Sequence, residues 1–193
     1  MFGVDAIGGF GTASRLDYVL IPVLFGIGTA IVTMVGINVG ARQIDRAKRI
    51  TWVGVAVSVI FTEVVGLFVA VFPDVWLGLF IHDESVRVTG ELYLQIVAPF
   101  YAANGILFAL GFAAQGSGYM WRMFLAGTVR LILAAGGGWV AVEFFGVGQA
   151  GLFVIVMAAM VIAAIMSIAI DRSGAMWPKY SKLSSSTIRT ARS

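Results

Sequence analysis

The chain alternates between long apolar runs and short polar connections. Five runs are each about 20 residues long, the length that an α-helix needs to cross the hydrocarbon core of a bilayer. They cover about 16–39, 50–71, 92–114, 123–142 and 148–170. Membrane-spanning β-strands alternate apolar and polar positions, whereas these runs are apolar on every face. The pattern predicts an all-α, polytopic transmembrane helix bundle over residues 1–171, followed by a basic, Ser-rich tail over residues 172–193.

The composition supports a lipid-facing exterior and narrows the chemistry. Of the 193 residues, 60% are hydrophobic and 12% are charged, and a soluble domain of this size must present more polar surface to water. The chain has no cysteine, and its one histidine is His82, so thiolate and multi-histidine metal sites are excluded. We find no catalytic motif, and therefore expect neither an enzyme nor a cofactor. The net charge of +3 is spread over connections and tail, so nucleic acid is not an expected partner.

Lys and Arg residues are concentrated on one side of the predicted bundle, and cytoplasmic loops of membrane proteins carry such an excess. A multi-pass protein of the inner (plasma) membrane with a cytoplasmic C-terminus is therefore predicted. The odd number of spans places the N-terminus outside, which predicts a further helix upstream of this sequence. The side with the excess holds Arg42, Arg46, Lys48, Arg49, Arg122, Arg172, Lys179, Lys182, Arg189 and Arg192, the other side holds Arg15 and Arg87, and Arg130 falls within a span.

Polar side chains inside the spans are candidates for binding a cation or a substrate, because an ionisable group in a bilayer is costly to place there. Glu63 lies in the second span and Arg130 in the fourth. Glu63 has two interpretations of equal weight, a titratable cation ligand or a helix contact paired with Arg130. Asn104 and Gln115 are further candidates, although hydrogen bonding between helices is their more common role. Asp17, at the start of the first span, is predicted to lie at the membrane interface.

Four stretches, in this order, resemble the multidrug and toxic compound extrusion (MATE) transporters. "FGVDAIGGFGTASRLDY" resembles the end of a helix and the link to the next one. "MVGINVGARQIDRAKRI" resembles the family's G-x-N-x-G-A and R-A-K/R pattern, which runs from a helix end through a cytoplasmic loop. "FPDVWLGLFIHDESV" resembles its P-x-x-L-x-x-L-F followed by acidic residues, and "FALGFAAQGSGYM" its Gly-rich turn. The resemblance covers roughly residues 2–170.

The resemblance implies a fold of twelve helices in two six-helix lobes, of which this chain looks like the C-terminal lobe, helices eight to twelve, truncated at its N-terminal side. Some members bind the coupling cation in this lobe through a Glu on helix seven and an Asp on helix ten. Helix seven is nearly all absent here, and the Asp position falls near Asn104, which puts cation coupling through this lobe in doubt. A missing N-terminal lobe or a second copy is the implied partner, because one lobe lacks the cleft that alternating access needs.

The expected function is therefore part of a secondary active multidrug (xenobiotic) efflux antiporter, coupled to Na⁺ or H⁺. Its partners would be the lipid bilayer and small cationic or lipophilic substrates, held by aromatic and Met side chains with Glu63, Asn104 and Gln115 as polar points. One alternative is a lipid-linked oligosaccharide flippase of the same superfamily, whose cavity should be strongly cationic, whereas only Arg130 is available here. Another alternative is a non-transporting membrane scaffold or the remnant of a truncated gene.

Overall fold

The computed structural model describes residues 4–80 and 83–178, and the regular structure within them is helical. The elements are α1 (Val4–Gly40), α2 (Ile44–Val71), α3 (Pro73–Leu77), α4 (Glu84–Val97), a 3₁₀ turn (Ala98–Phe100), α5 (Ala102–Ser117), α6 (Met120–Leu131), a π-helical segment (Ile132–Gly137), α7 (Gly138–Phe145) and α8 (Gln149–Arg172). Four helical stretches are long and apolar enough to span a membrane, and a bent pair provides a fifth. The predicted all-α bundle is confirmed. His82 and residues 179–193 of the predicted tail lie outside the described residues.

The first helix begins much earlier than the apolar run predicted. α1 is continuous from Val4 to Gly40, where the sequence suggested a preceding helix end and a link before Leu16. The glycine-rich start is a close contact between helices rather than a break. A Cβ on Gly9 would lie 2.3 Å from the carbonyl oxygen of Val86 and 2.8 Å from Cβ of Thr89. Gly9 therefore lets α1 approach α4, as small residues do in membrane bundles.

The third predicted span is broken in the middle. α4 and the 3₁₀ turn meet α5 at an angle of 54°, and Pro99 lies in that turn. Proline lacks the backbone N–H that continues a helical hydrogen-bond ladder, so it favours a bend at this point. Gly66 on α2 fits closely against the bend, since a Cβ there would lie 2.2 Å from the carbonyl oxygen of Ala98.

The bundle is built around α5, which packs against α1, α2 and α8. Buried apolar side chains form two clusters, one centred on Leu94 and Tyr101 near the bend, the other on Val35 and Leu110 toward the opposite end. Large apolar side chains are exposed around the outside of the bundle. In a multi-pass protein such an exterior faces lipid, and the hydrocarbon core of the bilayer surrounds the apolar side chains.

One polar contact fastens the end of α8 to α2. The Asp171 side chain is buried and accepts two hydrogen bonds from indole groups, one from Nε1 of Trp52 at 3.1 Å and one from Nε1 of Trp177 at 2.9 Å. The Lys48 ammonium lies 6.0 Å from the centre of the Trp177 ring. The segment that follows α8 is thus held against the start of α2.

Candidate functional site

One candidate site surrounds the carboxyl group of Asp17 on α1. Because α1 begins at Val4, Asp17 lies several turns inside the helix and not at its start, where the apolar run had placed it. Its neighbours on the inner side are the phenol groups of Tyr93 and Tyr101, which are both buried. The charge of Arg130 also acts on this carboxyl group.

Asp17 faces a cavity of about 370 Å³ between α1, α5 and α6. Its polar lining consists of Ser14, Asp17, Asn104 and Arg130, together with the edge of Tyr18. Ser14, Asp17 and Tyr18 share one face of α1 with Ile21 and Leu24, at the spacing of successive helical turns. Three helices therefore bring one acid, one base and one amide to the same small space.

Two oxygen acceptors in this cavity are buried without a hydrogen-bond partner among the described residues. They are Oδ1 of Asp17 and Oδ1 of Asn104, and the hydroxyl oxygen of Tyr101 behind them is in the same condition. A buried polar atom without a partner costs about 1–3 kcal/mol. The two residues that carry these oxygens line the cavity, so a carboxyl group and an amide with unused acceptor capacity lie beside it.

Arg130 lies between this cavity and a second one. The second cavity measures about 460 Å³ and is lined by Phe25, Phe108, Phe112 and Gln115 in addition to Arg130. The ring centre of Phe25 lies 5.2 Å from that of Phe112 and 6.3 Å from that of Phe108. Within residues 4–80 and 83–178, Arg130 forms no ion pair or hydrogen bond. An acidic cavity and an aromatic cavity thus share one arginine.

Glu63 lies elsewhere and has a different contact. Its Oε2 accepts a hydrogen bond of 2.7 Å from the backbone N–H of Ala102, the first residue of α5. The suggested pair with Arg130 is absent from the described part of the chain. The first N–H groups of a helix lack partners within the helix. Glu63 supplies one of these missing acceptors at the N-terminal end of α5, next to the bend.

Three of the four residues singled out in the sequence are therefore brought near one another. Asn104 and Arg130 line the first cavity, and Gln115 and Arg130 line the second, while Glu63 is separate. Sequence reasoning missed Asp17, because it lies at the edge of the apolar run. The signal that was available is the repeat of Ser14, Asp17, Ile21 and Leu24 along one helical face, which extends the helix back across that edge.

Comparison with known proteins identifies the family. The MatE family model matches residues 1–140. The chain belongs to the MatE family. This confirms the resemblance to MATE transporters that the loop and turn motifs indicated.

Several curated relatives are similar to this MatE chain over part of their length. "Probable multidrug resistance protein YpnP" of Bacillus subtilis is 26% identical over 128 residues, which are 66% of this chain and 29% of the relative. "FAD transporter" of Shewanella oneidensis is 23% identical over 129 residues, which are 67% of this chain and 28% of the relative. "Probable multidrug resistance protein NorM" of Thermotoga maritima is 23% identical over 192 residues, covering 97% and 40%. The chain thus spans 28 to 40% of the length of these relatives.

A solved structure supports the fold. The crystal structure of the Vibrio cholerae MATE transporter VcmN in the bent form superimposes with a TM-score of 0.78 at 20% identity. The superposition covers 92% of this MatE chain and 41% of VcmN. Together with the apolar helices, these similarities show a multi-pass membrane protein.

Proposed function

We propose that this chain is one lobe of a secondary active efflux transporter and that the Asp17 cavity is its binding site for a cation or a cationic substrate. The observation that carries the proposal is the carboxyl group of Asp17 and the amide of Asn104 in the lining of one cavity between membrane-spanning helices, each with a buried oxygen that has no hydrogen-bond partner among the described residues. Ionisable side chains inside a membrane mark ion and substrate pathways. A cation or a hydrogen-bond donor would match the carboxyl group of Asp17 and the amide oxygen of Asn104.

The aromatic cavity supports a planar, lipophilic substrate. Phe25, Phe108 and Phe112 present ring faces and edges next to Gln115. Such rings attract both apolar surface and positive charge. A planar cation would place its ring system among the three phenylalanines and its charge toward Asp17. The names of the relatives include both multidrug resistance and FAD transport. The charge of the preferred substrate is therefore the property that an experiment must determine.

We infer alternating access coupled to Na⁺ or H⁺, with this chain as the C-terminal lobe, its C-terminus on the cytoplasmic side of the inner membrane, and a second lobe or a second copy as its partner. The length shared with VcmN supports a single lobe, and the basic α1–α2 turn supports the orientation. In this arrangement Asn104, Gln115 and Arg130 line the path together with Asp17. Glu63 contributes by holding the bend in place, which gives its carboxylate a structural role beside the coupling role that its position first suggested.

The flippase alternative receives no support from the geometry. A pyrophosphate needs several positive charges, whereas the first cavity sets one carboxylate against one guanidinium. A purely structural scaffold would not need a carboxyl group and an amide with unsatisfied buried oxygens beside a cavity, since each unsatisfied acceptor lowers stability.

Binding of ethidium to the purified chain in lipid nanodiscs tests the proposal, with fluorescence polarisation as the readout. We expect Asp17→Asn to weaken ethidium binding roughly tenfold, the loss that corresponds to about 1.4 kcal/mol. Glu143→Gln is the matched control, because Glu143 is an exposed carboxylate at the end of α7, outside both cavities. Equal affinities of the wild-type chain and the Asp17→Asn variant would overturn the assignment of the site.

A second measurement tests the claim that the chain is one half of a transporter. Proteoliposomes that contain only this chain, under an imposed Na⁺ or H⁺ gradient, should bind ethidium without accumulating it. Gradient-driven accumulation by the chain alone would instead favour a functional assembly of two copies. Chemical cross-linking of the same proteoliposomes then separates a pair of copies from a monomer.

A further inference from the structure

An apolar groove lies between α1 and α2, separate from the two cavities described above. It measures about 760 Å³ and is almost entirely apolar. Along α1 it is lined by Ile27, Ile31 and Met34, and along α2 by Ile50, Val53 and Val57. Ala30 and Gly54 also line it. The two helices are neighbours in the bundle, and Ala30, Met34 and Val53 in the lining are exposed.

One end of the groove is charged. Arg46 and Arg49 line it there, next to Asp45, in the first turns of α2. All three side chains are exposed, and the described residues provide neither arginine with a carboxylate within ion-pair distance. Two guanidinium groups against one carboxylate leave an excess positive charge at this end. Guanidinium groups bind phosphate through paired hydrogen bonds.

The length of the apolar part matches one membrane leaflet. From Arg46 to Val57, α2 rises by roughly 17 Å at 1.5 Å per residue. Half of the hydrocarbon core of a bilayer is roughly 15 Å thick. A groove that begins at a charged membrane boundary and ends near the bilayer centre has the dimensions of a lipid acyl chain, with its headgroup at the arginines.

We propose that this groove binds an anionic phospholipid, with the phosphate on Arg46 and Arg49 and one acyl chain between α1 and α2. A second protein surface would be expected to bring apolar side chains along the whole groove, and it would leave the two arginines without a partner. The charge at one end and the apolar lining over one leaflet length together favour the lipid. The binding is independent of transport and of the Asp17 cavity.

Native mass spectrometry of the full chain in detergent, with added dioleoyl phosphatidylglycerol or dioleoyl phosphatidylcholine, tests the proposal. The wild-type chain should retain phosphatidylglycerol in preference to phosphatidylcholine. The double variant Arg46→Gln/Arg49→Gln should bind phosphatidylglycerol roughly 25-fold more weakly, since each basic side chain near an anionic surface contributes about a factor of five.

The matched control is Arg122→Gln/Arg172→Gln. It removes the same charge from two exposed arginines at the same end of the bundle but outside the groove. Equal losses of phosphatidylglycerol in the two double variants would show a nonspecific effect of charge and would overturn the proposal.

The apolar half of the groove has its own variant. Ala30→Phe fills the groove from an exposed position on α1, so it leaves the buried clusters unchanged. The variant should reduce retention of dioleoyl phosphatidylglycerol much more than retention of dihexanoyl phosphatidylglycerol. The acyl chains of the second lipid are too short to reach the position that the phenylalanine blocks. Unchanged retention of the long-chain lipid, or a dimer of the chain that Ala30→Phe abolishes, would show that a lipid is not the occupant.

Discussion

The backbone N–H of Ala102 donates a hydrogen bond of 2.7 Å to Oε2 of Glu63, so a carboxylate on α2 closes the first turn of α5. This contact lies at the 54° bend between the two halves of one span. A carboxylate near the N-terminus of a helix is also favoured by the helix dipole. Glu63 thereby links the position of α2 to the angle of the bend.

Replacement of Glu63 should separate its structural role from a role in ion coupling. We expect Glu63→Ala to lower the free energy of unfolding by about 1–2 kcal/mol, because the N–H of Ala102 loses its acceptor. Glu63→Gln keeps an acceptor oxygen and should retain most of that stability. Unfolding in mixed micelles with increasing SDS, followed by tryptophan fluorescence, measures both variants. Equal destabilisation by Ala and Gln would show that the negative charge, rather than the hydrogen bond, holds the bend.

Two glycines on α5 provide a matched pair that tests the packing of α5 on α2. A Cβ on Gly105 would lie 2.7 Å from Oγ1 of Thr62 and 2.8 Å from the carbonyl oxygen of Ser58, whereas a Cβ on Gly111 would meet nothing within 4 Å. Gly105→Ala should therefore destabilise the bundle by about 1–3 kcal/mol through overpacking. Gly111→Ala should be neutral or slightly stabilising, since alanine favours the helix. The same SDS titration compares them, and similar stabilities would mean that α5 moves away from α2 at little cost.

Hydropathy predicted a bundle of spanning helices because each span is a continuous stretch of about 20 mostly apolar residues. Such a stretch is visible in the sequence without knowledge of tertiary contacts. The fold class followed from it. The start of α1 could not be predicted in this way, since its glycines look like a helix end and a link until α4 is placed against Gly8 and Gly9. The bend at Pro99 was equally hidden, because neighbouring groups such as the Glu63 carboxylate decide whether a proline bends a membrane helix or is accommodated.

The candidate site was predicted in part. Asn104 and Arg130 stood out as polar residues in apolar runs, and the structure brings them to one cavity. Asp17 did not stand out, because its polar neighbours in "SRLDY" made it resemble a membrane boundary. Its significance arises from tertiary contacts with Tyr93 and Tyr101 that lie far away in the sequence.

The shared position of Arg130 predicts opposite effects on substrates of opposite charge. Arg130→Gln removes the positive charge between the two cavities, so ethidium should bind roughly three- to tenfold more tightly in nanodiscs. FAD, which has a planar flavin ring system and a negatively charged diphosphate, should bind more weakly in the same assay. Arg122→Gln, which alters an exposed arginine outside both cavities, should change neither affinity. A parallel loss of affinity for both ligands would mean that Arg130 maintains the shape of the cavities instead of setting their charge preference.

The buried carboxylate of Asp171 predicts non-additive effects of its two indole partners. Trp52→Phe and Trp177→Phe each remove one hydrogen bond to Asp171 and should each cost about 1–2 kcal/mol of unfolding free energy. Asp171→Asn keeps acceptor capacity through a single oxygen, so it can serve only one indole well and should cost a similar amount. In the background of Asp171→Ala, removing either indole nitrogen should have a much smaller effect, because the partner is already lost. A double-mutant cycle from SDS titrations measures this coupling. Full additivity would show that the two tryptophans stabilise the end of α8 by ring packing alone.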